Sequence, residues 1–149
     1  MQAFYSEAIL ISNQNVELFR RLTAVAEVAS VPEEAESLLA PLLAPEYRVE
    51  AVVTAVTDKT YYGAAGCVEW FNDLSDAFAE GVRYEVEAII AHGDDFVVGR
   101  VAFVGTAARS GAPLRLRWIT VTWFHDGKAT RSAGYANRHD ALKAVGLED

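Results

Sequence analysis

Cysteine occurs once in these 149 residues, at Cys67, methionine once and proline four times. One thiol makes no internal disulfide and no cysteine-based zinc site, and it fits a reducing compartment. No apolar run approaches the roughly 20 residues that span a bilayer. Met1 to Ile11 holds a short apolar stretch, Ala8 to Ile11, but no basic leader and no small-residue cleavage site. A cytoplasmic protein with no membrane partner is expected. Basic residues are scarce too: 13 Lys and Arg stand against 21 Asp and Glu, a net charge of −8 that no local cluster reverses. The electrostatic footprint of a nucleic-acid binder is therefore missing. Gly-x-Gly-x-x-Gly, Walker-type loops, serine-nucleophile motifs and His-x-x-x-His spacing are all absent, so neither cofactor nor metal is expected.

What is present is apolar and folded: 52% hydrophobic against 23% charged, enough for one cored domain. Residues 1–12 read as an extension and 13–149 as the domain. Asn13 or Asn15 is placed to cap a first helix carrying Val16, Phe19, Leu22 and Ala26. Ser30-Val31-Pro32-Glu33 is a capping box that opens a second, ending or bending near Ala40. Tyr47 to Thr54 alternates as a strand, Val56 to Tyr62 is irregular, and Gly63 to Gly81 bounds a third helix. Strands follow over Val82–Ile90, Gly93–Ala108, Pro113–Phe124 and Lys128–Ala136, with Asp126-Gly127 as a hairpin turn, and Arg138–Val145 closes as a helix. The order α-α-β-α-β-β-β-β-α predicts an α+β fold, a curved antiparallel sheet wrapped on helices into a cone with a cavity between the layers.

One parity of the long strands carries Arg100, Thr120, Thr122, Thr130 and Ser132, and is assigned to the concave side. A mainly apolar pocket with one guanidinium and several hydroxyls suits a small hydrophobic or weakly anionic molecule. Arg100 either meets a carboxylate of the chain (Glu46, Glu50 or Glu85), or waits for a ligand, or sits solvated at the rim. Trp118 is assigned to the wall, although Trp70 and Trp118 also suit the core; Tyr61 and Tyr62 suit the mouth, and Asp58 suits either the mouth or a solvated loop. His92 and His125 belong to turns, His139 to the last helix, and Cys67 packs rather than reacts.

The opposite parity carries Val97, Val101, Phe103, Ile119, Val121, Trp123 and Tyr135. An apolar face of this kind is usually covered by a partner. A homodimer through Val101, Phe103, Ile119, Val121, Trp123 and Tyr135 is the expectation, with Arg131 pairing across the seam.

Asn15-Val16-Glu17-Leu18-Phe19-Arg20-Arg21, Tyr62-Gly63, Gly93-Asp94, Asp126-Gly127-Lys128 and Tyr135-Ala136-Asn137-Arg138 follow in one order from about residue 13 to the end. In that order they resemble the SnoaL-like branch of the cystatin/nuclear transport factor 2-like superfamily. The resemblance implies the cone fold and dimerisation sheet to sheet. It leaves activity open, since such folds host isomerases, cyclases, epoxide hydrolases and non-catalytic modules. Where limonene-epoxide-hydrolase-like members carry Arg-x-Asp, this chain has Arg100-Val101-Ala102. The last-strand acid falls at Gly134, the water-holding Tyr and Asn near Val49 and Ala51, and the acid or His before the turn at Thr120. With those groups missing, the resemblance implies a ligand-binding protein with Arg100, Trp118, Thr120, Thr122, Ser132, Tyr62 and Val49 at the pocket and no assignable catalytic residue. The alternatives are a lyase, isomerase or cyclase acting on a polyketide-, terpene- or steroid-like substrate, and a non-catalytic dimerisation module.

Overall fold

The computed structural model describes residues 7–25, 32–50, 59–79 and 82–147. Helices α1 (Glu7–Ala24), α2 (Pro32–Leu39), α3 (Gly63–Ser75) and α4 (Arg138–Ala144) accompany six strands: β1 (Leu43–Glu50), β2 (Thr60–Tyr62), β3 (Arg83–His92), β4 (Phe96–Thr106), β5 (Pro113–His125) and β6 (Lys128–Tyr135). The strands form one sheet in the order β2-β1-β6-β5-β4-β3. Every pair is antiparallel except β1 with β6, which is parallel. The sheet is thus mixed rather than wholly antiparallel, and β2 is a strand where an irregular segment was expected. Residues 30–31 of the capping box and 51–54 of the first predicted strand lie outside the described residues, as does Gly81; α3 already ends at Ser75.

Helix α1 buries Ser12, Asn15, Phe19 and Leu22, a stripe at three- and four-residue spacing. It runs unbroken through residues 12 and 13, so neither Asn13 nor Asn15 is a cap. Asn15 is 2% exposed and donates from Nδ2 to the carbonyls of Gly93 (3.2 Å) and Asp94 (3.0 Å), clasping the β3–β4 turn. α3 presents Cys67, Phe71 and Leu74 to the same core.

Asp126 (φ 51°) and Gly127 (φ 76°) both lie at positive φ, the two-residue turn that matches strand twist. β3 carries two register shifts, between Val86 and Ala88 and between Ile89 and Ala91. Bulges of this kind bend a strand and curve the sheet over the helices.

The phase of the strands differs from the expectation in β4. Val101 pairs with Trp118, Gly99 with Thr120, and Arg100 with Ile119. Paired residues share a face, so Val97, Gly99, Val101 and Phe103 look toward the helices with Trp118, Thr120 and Thr122. Val101 (0% exposed) and Phe103 (2%) accordingly belong to the main core with Phe19 and Phe71, not to an outer seam. Arg100 turns outward. Of the expected outer patch, Ile119 and Val121 do face outward, but they pack with Val98 and with Ala141 of α4. The short C-terminal helix of the chain itself covers them.

Candidate functional site

Between the sheet and helices α1 and α3 lies a partly open cavity, walled by Phe19, Trp70, Phe71, Tyr84 and Trp118. It leaves about 50 Å³ for the centre of a water-sized sphere, several times the ~10–15 Å³ that one water requires. Its position follows from the inner-face row Gly99–Thr120–Gly134. Phe19 fills the space above Gly99, where a Cβ would come within 2.8 Å of the ring. Gly134 brings no side chain, and the cavity lies over it and Thr120. The aromatic walls brace one another: Tyr84 stacks on Trp118 (centroids 5.7 Å, 18° between planes) and Trp70 meets Trp118 edge-on (6.1 Å, 84°).

A chain of hydroxyls runs across the floor. Tyr47 donates to Ser132 Oγ at 2.8 Å, and Ser132 Oγ lies 2.8 Å from Thr122 Oγ1. Thr120 spends its hydrogen on the Ala133 carbonyl, at 3.4 Å. Burial raises the Tyr47 phenol well above its ordinary value, with nearby Cys67 adding to this, so Tyr47 is a donor at neutral pH. Burial likewise pushes the Cys67 thiol up to about 12. Glu50 borders the cavity, but it pairs with Ala133 on the parity opposite Ser132, and its carboxylate is engaged on that side: Arg131 donates to it twice (2.7 and 3.1 Å) and Arg48 once (2.9 Å). The Arg131 bonds are the main reason its carboxyl is held below the ordinary range.

Of the predicted pocket residues, Trp118, Thr120, Thr122, Ser132 and Val49 line this cavity, and Arg100 and Tyr62 do not. Arg100 sits half-exposed on the outer face, 3.9 Å from Glu87, which Arg115 and Arg117 also hold. Its likeness to the arginine of an inward Arg-x-Asp therefore fails. Tyr62 pairs with Arg48 and is 68% exposed; its neighbour Tyr61 takes the inner parity and donates to Asp73 Oδ2 at 2.7 Å. Thr130 is the extra residue of a bulge in β6 and bonds the Trp123 carbonyl (3.3 Å). Tyr47 and Tyr84 were missed, although each alternates with a valine, Val49 and Val86, that marks the inner parity. Asp58 and Ala51 lie outside the described residues. His92 bonds Ser12 Oγ at the α1 clasp, and His125 pairs with Asp126 at 3.3 Å on an exposed turn. Among the described residues no three His, Cys, Asp or Glu converge as a metal site would require, and no helix is long and apolar enough to cross a membrane.

Residues 32–132 match the SnoaL-like domain family, to which the chain belongs. No curated protein matches it by sequence. Solved structures with the same fold include an NTF2-like protein of unknown function from Mesorhizobium loti (21% identity over 85% of this chain and 93% of that one, TM-score 0.61). A protein assigned as a SnoaL-like polyketide cyclase from Jannaschia sp. CCS1 shares 20% identity over 95% and 93%, TM-score 0.61. TerC, crystallised with polyporic acid, shares 18% over 90% and 97%, TM-score 0.61. At these identities the likeness shows the nuclear transport factor 2-like fold alone.

Proposed function

We propose that this SnoaL-like protein binds a small, mainly apolar organic molecule in the cavity between sheet and helices. The observation that carries this reading is the Tyr47–Ser132–Thr122 hydroxyl chain on the floor of a cavity with aromatic walls. That combination fits ligand pockets generally, which are mostly apolar with a few placed polar groups. TerC, of the same fold, was co-crystallised with polyporic acid. Lyase, isomerase or cyclase chemistry is the competing reading. Against it, the described lining residues include no histidine, and their one carboxylate, Glu50, has both oxygens committed to arginines. A group poised to move a proton near neutral pH is what acid–base catalysis needs. The single thiol supports a reducing, cytoplasmic setting.

A panel of small aromatic and alicyclic ketones, esters, alcohols and hydrocarbons, titrated against tryptophan fluorescence of the full chain, tests the reading. Saturable quenching, lost when Gly134→Leu fills the cavity floor in a variant with an unchanged circular dichroism spectrum, is the expected result. No saturable binding by any compound overturns it.

Pairing of two copies through the outer face is a second proposal. Trp123 and Tyr135 are only partly covered there, beside the ladder of Arg83, Arg100, Arg115 and Arg117 with Glu85 and Glu87. Sedimentation velocity at micromolar concentration is expected to show a dimer weakened by salt; a clean monomer removes the proposal.

A further inference from the structure

The hydrogens of the floor can be counted. Tyr47, Ser132 and Thr122 own three hydroxyl hydrogens and are joined by two hydrogen bonds. Tyr47 donates the first, and either Ser132 or Thr122 donates the second. One hydrogen is therefore left over, on whichever of Ser132 and Thr122 accepts, and neither hydroxyl bonds any other described residue. Two further donors stand in the walls. The Trp118 indole N–H and the Tyr84 hydroxyl make no hydrogen bond to any described residue. No fully buried side-chain nitrogen or oxygen among the described residues lacks a partner, so both keep surface open to cavity or solvent.

The hydroxyl oxygens keep lone pairs and can also accept, but no free carboxylate adds to them. The oxygens of Glu50 are taken by Arg131 and Arg48, and an indole N–H can only donate. Full charges are what the site lacks: with Arg100 on the outer face, the described lining offers an anion no cation, and the Glu50 carboxylate is already held by arginines. A charged ligand would enter unpaired among aromatic rings, at a large desolvation cost.

Resting on the binding function proposed above, we infer that this cavity selects uncharged ring compounds bearing a hydrogen-bond acceptor. The acceptor, a ketone, ester or ether oxygen, takes the spare hydrogen of the Ser132–Thr122 pair, and the ring lies against Trp118 and Tyr84. Ligands of the same size lacking an acceptor, or carrying a charge, bind less tightly.

Four compounds of one-ring size test this on the full-length protein: acetophenone, ethylbenzene, benzoate and benzylammonium, each titrated calorimetrically at neutral pH. One neutral hydrogen bond is worth roughly a 3- to 10-fold gain in affinity, so acetophenone is expected to exceed ethylbenzene by about that factor. Both ions should fall about tenfold or more below acetophenone, since burying a charge without a partner is costly. The carbonyl stretch of bound acetophenone should shift to lower frequency. Equal affinity for acetophenone and ethylbenzene overturns acceptor selection while leaving the binding pocket standing. Benzoate or benzylammonium as the tightest ligand overturns it too. Binding by none of the four overturns this inference, and the function beneath it then falls only if the wider panel also fails to bind.

Discussion

Thr122 and Ser132 face each other across β5 and β6 with their hydroxyl oxygens 2.8 Å apart, and Thr130 is the reason. At the hairpin end His125 pairs with Lys128 and Phe124 with Ala129; beyond the bulge Trp123 pairs with Arg131. Continued without that extra residue, the register would set Thr122 opposite Arg131 and turn Ser132 outward. One inserted threonine thus decides which side chains reach the cavity. The displaced arginine lies instead over Trp123 at 4.2 Å and clamps Glu50 of β1.

The hydroxyl chain should show coupling in a double-mutant cycle. Ser132→Ala strands the Tyr47 hydroxyl, on a residue 3% exposed, at a cost of ~1–3 kcal/mol. Tyr47→Phe should cost about 1 kcal/mol, because Ser132 keeps Thr122 as a partner. The double variant is expected to be no less stable than Ser132→Ala alone, as measured by urea unfolding; additive losses would show the two residues to be independent.

Asn15 and Asn13 separate the clasp from a cap. Asn15→Ala removes both bonds to the β3–β4 turn from a buried site, and should cost ~1–3 kcal/mol in thermal or urea unfolding. Asn13→Ala, on the exposed side within α1, should stay within about 0.5 kcal/mol of wild type.

Arg100→Ala tests the phase of β4. A half-exposed guanidinium 3.9 Å from its partner contributes little, so stability should change by about 0.5 kcal/mol or less. Affinity for any cavity ligand should be unchanged. A large loss of affinity for a neutral ligand would put the side chain back inside.

Cys67 gives a pH prediction. Burial raises its thiol from about 9 to about 12 in the folded protein, so the unfolded chain ionises first. The stability this represents is complete below about pH 9 and is lost as pH rises toward 12. At pH 8 the native thiol should react with a disulfide reagent far more slowly than in urea. Equal rates would mean that the residue is not enclosed.

Much of the fold was legible from residues 63–147. Gly63 opens α3, Asp126-Gly127 turns the hairpin, and α4 begins at Arg138 as expected, each a local signal with local chemistry. The cavity was half legible, because Trp118, Thr120, Thr122 and Ser132 share one parity along β5 and β6. Arg100 was misplaced because the register across the 107–112 turn pairs even-numbered residues with odd ones, and parity carried straight across that turn inverts β4. Tyr61 and Tyr62 were both placed at the mouth, whereas the register with β1 buries Tyr61 and leaves Tyr62 exposed. Asn15 reads as a cap from its residue type; only the distant carbonyls of Gly93 and Asp94 explain its burial.

A crystal of the protein soaked with 4-bromoacetophenone, its bromine located by anomalous scattering, tests the central claim most directly. The account predicts the ring against Trp118 and Tyr84, with the carbonyl oxygen about 2.5–3.0 Å from Ser132 Oγ or Thr122 Oγ1. Bromine found only outside the cavity, or a ring inside whose carbonyl points away from both hydroxyls, would contradict it.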